Sequence, residues 1–121
     1  MSARFTKDQN NNFMDQLDKI IRQNLQTPNL TNAHLANLAH MSVRQFYRKV
    51  EVLTGLSPNQ YIRKIRLQKA AQLLENGEHN TVKEVALRVG FTKVSYFSKL
   101  FEQWYGQHPS SFLKKRKRPL F

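Results

Sequence analysis

The sequence predicts an all-α fold of about seven helices, arranged as two similar halves joined by a long connecting helix. Three observations lead there. Apolar residues recur at three- and four-residue steps along most of the chain, and few stretches alternate β-branched and polar residues as strands do. Glycine and proline stand at the expected stops and restarts. A pattern of short helix, turn, longer helix, glycine and proline occurs twice.

Taken in order, Phe13, Leu17, Ile20, Ile21 and Leu25 form the apolar stripe of a first amphipathic helix. Thr27-Pro28-Asn29 ends it, because the residue before proline is pushed out of the α region. Thr31 caps a short helix carrying Leu35, Ala36 and Leu38. After a break at His40-Met41, Ser42 caps a third helix with Phe46, Val50 and Leu53 inward, and Gly55 stops it. Ser57-Pro58 starts the connecting helix, with proline in its first turn; Tyr61, Ile65, Ala70 and Leu74 line it and Asn76-Gly77 closes it. Thr81 then caps a short helix with Val85 and Ala86, Gly90-Phe91 turns, and Thr92 opens a helix with Phe97, Phe101 and Trp104 inward. Gly106 stops that helix, and Pro109 and Ser110 begin a last one through Phe112. The organisation expected is a tail over 1–12, a first subdomain over 13–56, the connecting helix over 57–76, a second subdomain over 77–113 and a basic tail over 114–121.

The two halves superimpose in sequence. Thr31, Ala36, Met41 and Ser42 match Thr81, Ala86, Phe91 and Thr92 at an offset of 50. Past the turn the offset is 51: Phe46 with Phe97, Val50 with Phe101, Gly55 with Gly106, Pro58 with Pro109 and Tyr61 with Phe112, which places one added residue after Thr92.

Charge narrows the function. Of 121 residues, 20 are Lys or Arg and 8 are Asp or Glu, a net charge of +12. Residues 1–30 hold 4 basic and 3 acidic side chains and residues 31–121 hold 16 and 5, so the positive field belongs to the repeats. A polyanion is the natural partner: nucleic acid first, an anionic membrane surface second. The absence of cysteine excludes disulfides and thiolate metal sites and fits a reducing cytoplasm. No apolar run approaches the roughly 20 residues that span a bilayer, and no signal-peptide core is present at the N-terminus. No nucleophile–base set, phosphate loop or metal cluster is visible, so neither an enzyme nor a cofactor is expected.

A short helix, a tight turn and a longer helix compose the helix-turn-helix, whose second helix lies in the major groove of DNA. With Phe46 at the centre of the buried stripe, about 100° per residue puts Arg44 and Arg48 on the opposite side, flanked by Gln45 and Tyr47. Arginine suits base reading because its fork donates to both O6 and N7 of guanine. In the second copy, with Phe97 buried, Ser95 and Lys99 face outward, and Lys93 and Val94 lie at the helix start, where side chains reach bases most easily. Val94 can touch a thymine methyl and Ser95 can donate or accept. The expected base contacts are therefore Arg44, Gln45, Tyr47, Arg48, Lys93, Val94, Ser95 and Lys99. Phosphate contacts, which position without reading sequence, are expected at Ser42, Arg63, Lys64, Thr92, Tyr96 and Lys114. Arg66 and Lys69 share the connecting helix with Arg63 and Lys64. Two such units could enter successive major grooves, about 34 Å apart on one duplex face.

The stretch from Ala36 to Leu74 resembles the first half of the AraC/XylS family DNA-binding domain. From Val85 to Leu113, the signature Ala86, Gly90-Phe91, Tyr96-Phe97-Ser98, Phe101, Gly106 and Pro109 resembles its second half. The resemblance covers about residues 15–114. It implies seven helices in two subdomains and a transcription regulator, usually an activator working with RNA polymerase on double-stranded DNA. The family's base-contacting positions fall on Arg44, Tyr47, Arg48, Val94, Ser95 and Lys99. The first half is especially similar to output domains of hybrid two-component regulators, which implies sensor or receiver domains upstream. One departure stands out: an arginine often follows the aromatic residue of the family's last helix, whereas Leu113 follows Phe112 here, which leaves Lys114 to replace it.

Each assignment has a plainer alternative. An isolated arginine pair is most often a solvated helix face; its place opposite a buried stripe favours base contact. Tyr47 can instead pack on the sugar-phosphate backbone. Phe97, Phe101 and Trp104 read as core rather than as a stacking platform for single strands. His34, His40, His79 and His108 lack metal-like pairing, Glu75 and Glu78 sit at a helix end, and the 114–118 run reads as a basic tail with non-specific attraction to DNA. A basic module reading RNA shape would need sheet aromatics or a GXXG loop, and neither is visible.

Overall fold

The computed structural model describes residues 7–27 and 30–116, with side chains as far as Leu113. Seven helices and no strand are found among them: α1 (Lys7–Gln23), α2 (Asn32–Leu38), α3 (Val43–Thr54), α4 (Pro58–Asn76), α5 (Val82–Arg88), α6 (Val94–Tyr105) and α7 (Pro109–Arg116). The chain divides into two compact units, Met1–Asn24 with Asn29–Arg63, and Leu25–Pro28 with Lys64–Phe121. The connecting helix α4 thus gives its start to the first unit and its remainder to the second. Residues 7–12, placed in a tail by their polarity, are instead the first turns of α1, where Asp8 complements the positive end of the helix dipole.

In the first unit, Leu17 and Ile21 of α1, Leu35 and Ala36 of α2, and Phe46 and Val50 of α3 are buried. Phe13 meets Phe46 edge-on with ring centroids 6.2 Å apart. Tyr61, at the start of α4, donates its hydroxyl to Asp18 Oδ1 at 2.5 Å and so ties α4 to α1. Burial, with the neighbouring carboxylate, pushes the Tyr61 phenol upward and keeps it neutral and donating.

The second unit has its own core. Leu67, Ala70, Ala71, Leu73 and Leu74 of α4 pack with Val85, Ala86, Val89, Phe91, Phe97 and Phe101. An aromatic chain runs through it: Phe91–Phe97 at 5.2 Å, Phe97–Phe101 at 5.7 Å, Phe101–Phe112 at 5.1 Å and Tyr105–Phe112 at 5.6 Å. The helical period places Trp104 inward, yet it is 48% exposed. In this last turn of α6 the contact passes to Tyr105, whose ring lies 4.6 Å from Phe101 and against α7's Phe112. Packing by α7 on the Tyr105 side rotates the buried stripe away from Trp104.

The two turns share two defining bonds. Met41 N–H donates to Ala36 O at 2.9 Å, and Phe91 N–H to Ala86 O at 2.9 Å; His40 N–H donates to Asn37 O at 3.0 Å, and Gly90 N–H to Leu87 O at 3.1 Å. The turn needs a left-handed residue, Gly90 (φ 94°) in one copy and His40 (φ 57°) in the other. Ala36 and Ala86, both fully buried, allow each short helix to approach the longer one closely. Gly55 and Gly106 end α3 and α6 in the left-handed conformation, their N–H groups bonded to Glu51 O and Glu102 O.

Candidate nucleic-acid interface

The faces of α3 divide sharply. Phe46 and Val50 are fully buried, while Arg44, Gln45, Tyr47 and Arg48 are exposed. Arg44 and Arg48 stand one helical turn apart on the outward side. Lys49, next to them in sequence, turns back: its ammonium lies 4.5 Å from the centroid of the Phe13 ring, and desolvation lowers its pKa. The outward positive charge of this helix is therefore carried mainly by the two arginines, whose planar forks suit guanine edges.

The start of α3 is closed by a reciprocal pair. Ser42 Oγ accepts from Gln45 N–H at 3.1 Å, and Ser42 N–H donates to Gln45 Oε1 at 3.1 Å. This capping box satisfies two of the donors that a helix N-terminus leaves over. It also commits one end of Gln45, a candidate base reader, to the backbone. The hydroxyl hydrogen of Ser42 remains directed elsewhere and can still meet a phosphate oxygen. The pattern Ser-x-x-Gln carries this information in the sequence, and Ser57 and Gln60 form the same box at the start of α4, at 2.9 and 3.2 Å.

On α6, Ser95, Tyr96 and Lys99 are exposed, Val94 is half-buried, and Phe97 and Phe101 are fully buried. Tyr96 also touches Phe91 edge-on at 6.1 Å. The start of α6 differs from the sequence expectation. Lys93, not Thr92, occupies the N-cap, and its side chain makes no cap hydrogen bond. Lys93 therefore stands where Ser42 stands in the first copy, and Thr92 is the added residue. It lies exposed in the loop, with its hydroxyl unused by the helix.

Arg63 and Lys64 are half-buried on α4. Arg66, two residues on, is turned inward and does not face a phosphate. It is 5% exposed, and its guanidinium donates to Val89 O at 2.6 Å, to Thr27 O at 2.8 Å and to Leu25 O. Desolvation lowers its pKa, yet arginine keeps its charge, and three carbonyl dipoles satisfy it. The clue in the sequence is spacing: Ile62, Arg66 and Ala70 follow at four-residue steps on an apolar face. Lys114 lies beyond the described side chains, as does the 117–121 part of the basic tail.

A buried stripe under an outward polar face, repeated on two helices that each follow a tight turn, defines a helix-turn-helix DNA-binding protein. The profile of the helix-turn-helix domain family matches residues 35–115. The chain belongs to this family, in its AraC-type form, and is a DNA-binding module of transcription regulators. It is similar to a probable AraC family transcriptional regulator from Rhodopseudomonas palustris, with 30% identity, a TM-score of 0.76 and coverage of 89% of this chain and 99% of that one. The DNA-binding domain of AdpA, a global transcriptional factor solved with a target DNA, is 28% identical with a TM-score of 0.76, covering 89% and 97%. Histidine kinase P4 of Formosa agariphila is 31% identical over 94 residues, which are 78% of this chain and 7% of that protein. The chain spans about a quarter of the regulators that also match it. No described helix is long and apolar enough to cross a membrane.

Proposed function

We propose that this chain reads specific sequences of double-stranded DNA by offering α3 and α6 to the major groove. The opposed faces of α3 carry the reading: Phe46 and Val50 are sealed while Arg44 and Arg48 are exposed. Arg44, Gln45, Tyr47 and Arg48 meet bases from α3, and Lys93, Val94, Ser95 and Lys99 from α6. Ser42, Arg63, Lys64, Thr92, Tyr96 and Lys114 meet phosphates. α3 anchors specificity through its arginines, and α6 contributes a less selective face of lysines, Val94 and Ser95. The AdpA domain's target DNA supports the choice of DNA as the partner.

The module acts as the output domain of a longer cytoplasmic regulator, with sensor or receiver domains upstream and RNA polymerase as the eventual partner of an activator. The likeness to a histidine kinase, in which such a domain is a small fraction of the length, supports that arrangement. Selection of sites from random duplexes, followed by titration against the selected and a scrambled duplex at moderate salt, tests the reading. Specific binding is expected to be tighter by at least roughly a thousandfold; equal affinity for both duplexes overturns it.

A further inference from the structure

We propose that Gln45 reads the groove through its amide nitrogen alone, and so discriminates against cytosine at one base position rather than selecting adenine. The proposal rests on the major-groove reading of α3. An unconstrained glutamine pairs with adenine through both ends of its amide, Oε1 accepting from N6 and Nε2 donating to N7. Here Oε1 is taken by the backbone N–H of Ser42 at 3.1 Å, while Gln45's own N–H is held by Ser42 Oγ at 3.1 Å. A backbone N–H can only donate, so chemistry fixes the orientation of the amide: oxygen toward Ser42, nitrogen outward. The equivalent box between Ser57 and Gln60 on α4, a helix outside the reading pair, shows that Ser-x-x-Gln forms this clasp from local geometry alone.

What remains for the groove is a donor on an exposed side chain in the first turn of α3, the region that reaches base edges. Guanine offers O6 and N7, adenine N7 and thymine O4 as acceptors, whereas cytosine presents the N4 amino donor. A lone donor therefore tolerates three bases and meets cytosine donor against donor. Tyr96 holds the matching position on α6, where no box forms, so the second unit lacks this rule.

The experiment is site selection from random duplexes with the wild-type chain, Gln45→Glu and Gln45→Ala, with thermal melts of each. Glutamate keeps the box, because a carboxylate oxygen accepts equally from Ser42 N–H, but turns the outward atom from donor to acceptor. The wild type is expected to deplete cytosine at one position. Gln45→Glu should convert that position to a cytosine preference, a swing of roughly two- to tenfold in relative affinity for one hydrogen bond. Gln45→Ala should accept all four bases there. Enrichment of adenine over guanine and thymine at the Gln45-dependent position overturns the proposal, as does a motif unchanged across the three proteins. If Gln45→Glu loses its fold or all binding, Gln45→Ala decides: cytosine admitted supports the inference, cytosine still excluded refutes it. A wild type that selects no motif at all strikes the underlying groove reading, an outcome distinct from a motif indifferent to residue 45.

Discussion

Arg48 and Arg66 show how position sets the work of one residue type. Arg48 is exposed opposite the buried stripe of α3, so its fork faces outward, as the proposed base contact requires. Truncation to alanine is expected to cost about 1–3 kcal/mol of binding to the selected site and to relax one base position; a uniform loss across sequences in competition titrations would make Arg48 a phosphate contact instead. Arg66 is enclosed, and the space it occupies depends on Gly90. A Cβ at Gly90 would lie 1.5 Å from Arg66 Nη1 and 2.0 Å from Leu25 O, at a φ of +94° that side chains rarely adopt. Gly55, by contrast, has nothing within 4 Å of such a Cβ, so Gly55→Ala should cost only the left-handed backbone strain, roughly 1–2 kcal/mol. Gly90→Ala should cost more than that in urea unfolding. Arg66→Met, which strands three carbonyls, should lose about 3 kcal/mol or more. The two changes break one assembly, so the double variant should fall well short of their sum.

The helices differ most at their beginnings. Ser42 closes α3 with a complete box, and Ser42→Ala is expected to lower stability by about 0.5–2 kcal/mol. On α6 the N-cap is Lys93, without a side-chain bond. Lys93→Ser should therefore raise the melting temperature, by the equivalent of about 1 kcal/mol, while weakening DNA binding through the lost cation; a variant improved in both would remove Lys93 from the interface. Much of this was legible in the residues. Glycine stops, proline restarts and threonine caps show in the sequence because each depends on a few neighbouring residues. Trp104 and Thr92 mislead for the opposite reason. The exposure of Trp104 follows from where α7 places Phe112, a contact no helical wheel contains, and the cap of α6 shifts because the added residue falls ahead of the helix rather than inside it. The outward face of α3, the proposed base-reading face, was legible as a pattern of exposed residues; the commitment of Gln45 to Ser42 was legible only in the Ser-x-x-Gln spacing.

For the whole chain, net charge +12, the number of phosphates its cations neutralise sets how binding responds to salt. The logarithm of affinity should fall linearly with the logarithm of salt concentration, with a slope of roughly −0.9 per phosphate neutralised. Replacing Arg63 or Lys64 by glutamine should weaken binding about equally on selected and scrambled duplexes and flatten that slope by about one. A sequence-dependent loss would move the residue from the backbone to the bases.

The guanidinium of Arg66 carries a further consequence, for how this protein can be recombined. Its acceptors at Leu25 and Thr27 precede the whole first helix-turn-helix in the chain, yet they belong to the second compact unit. That unit is thus discontinuous in the gene. A chimera spliced at the start of α4, taking residues 58–121 from one parent and the rest from another, inherits the arginine and its Val89 acceptor from one lineage and the other two acceptors from the other. Viable crossovers should instead transfer the 25–28 codons together with the C-terminal half, and a shuffled library sorted for folded members should show that linkage between two stretches separated in the chain by the first helix-turn-helix.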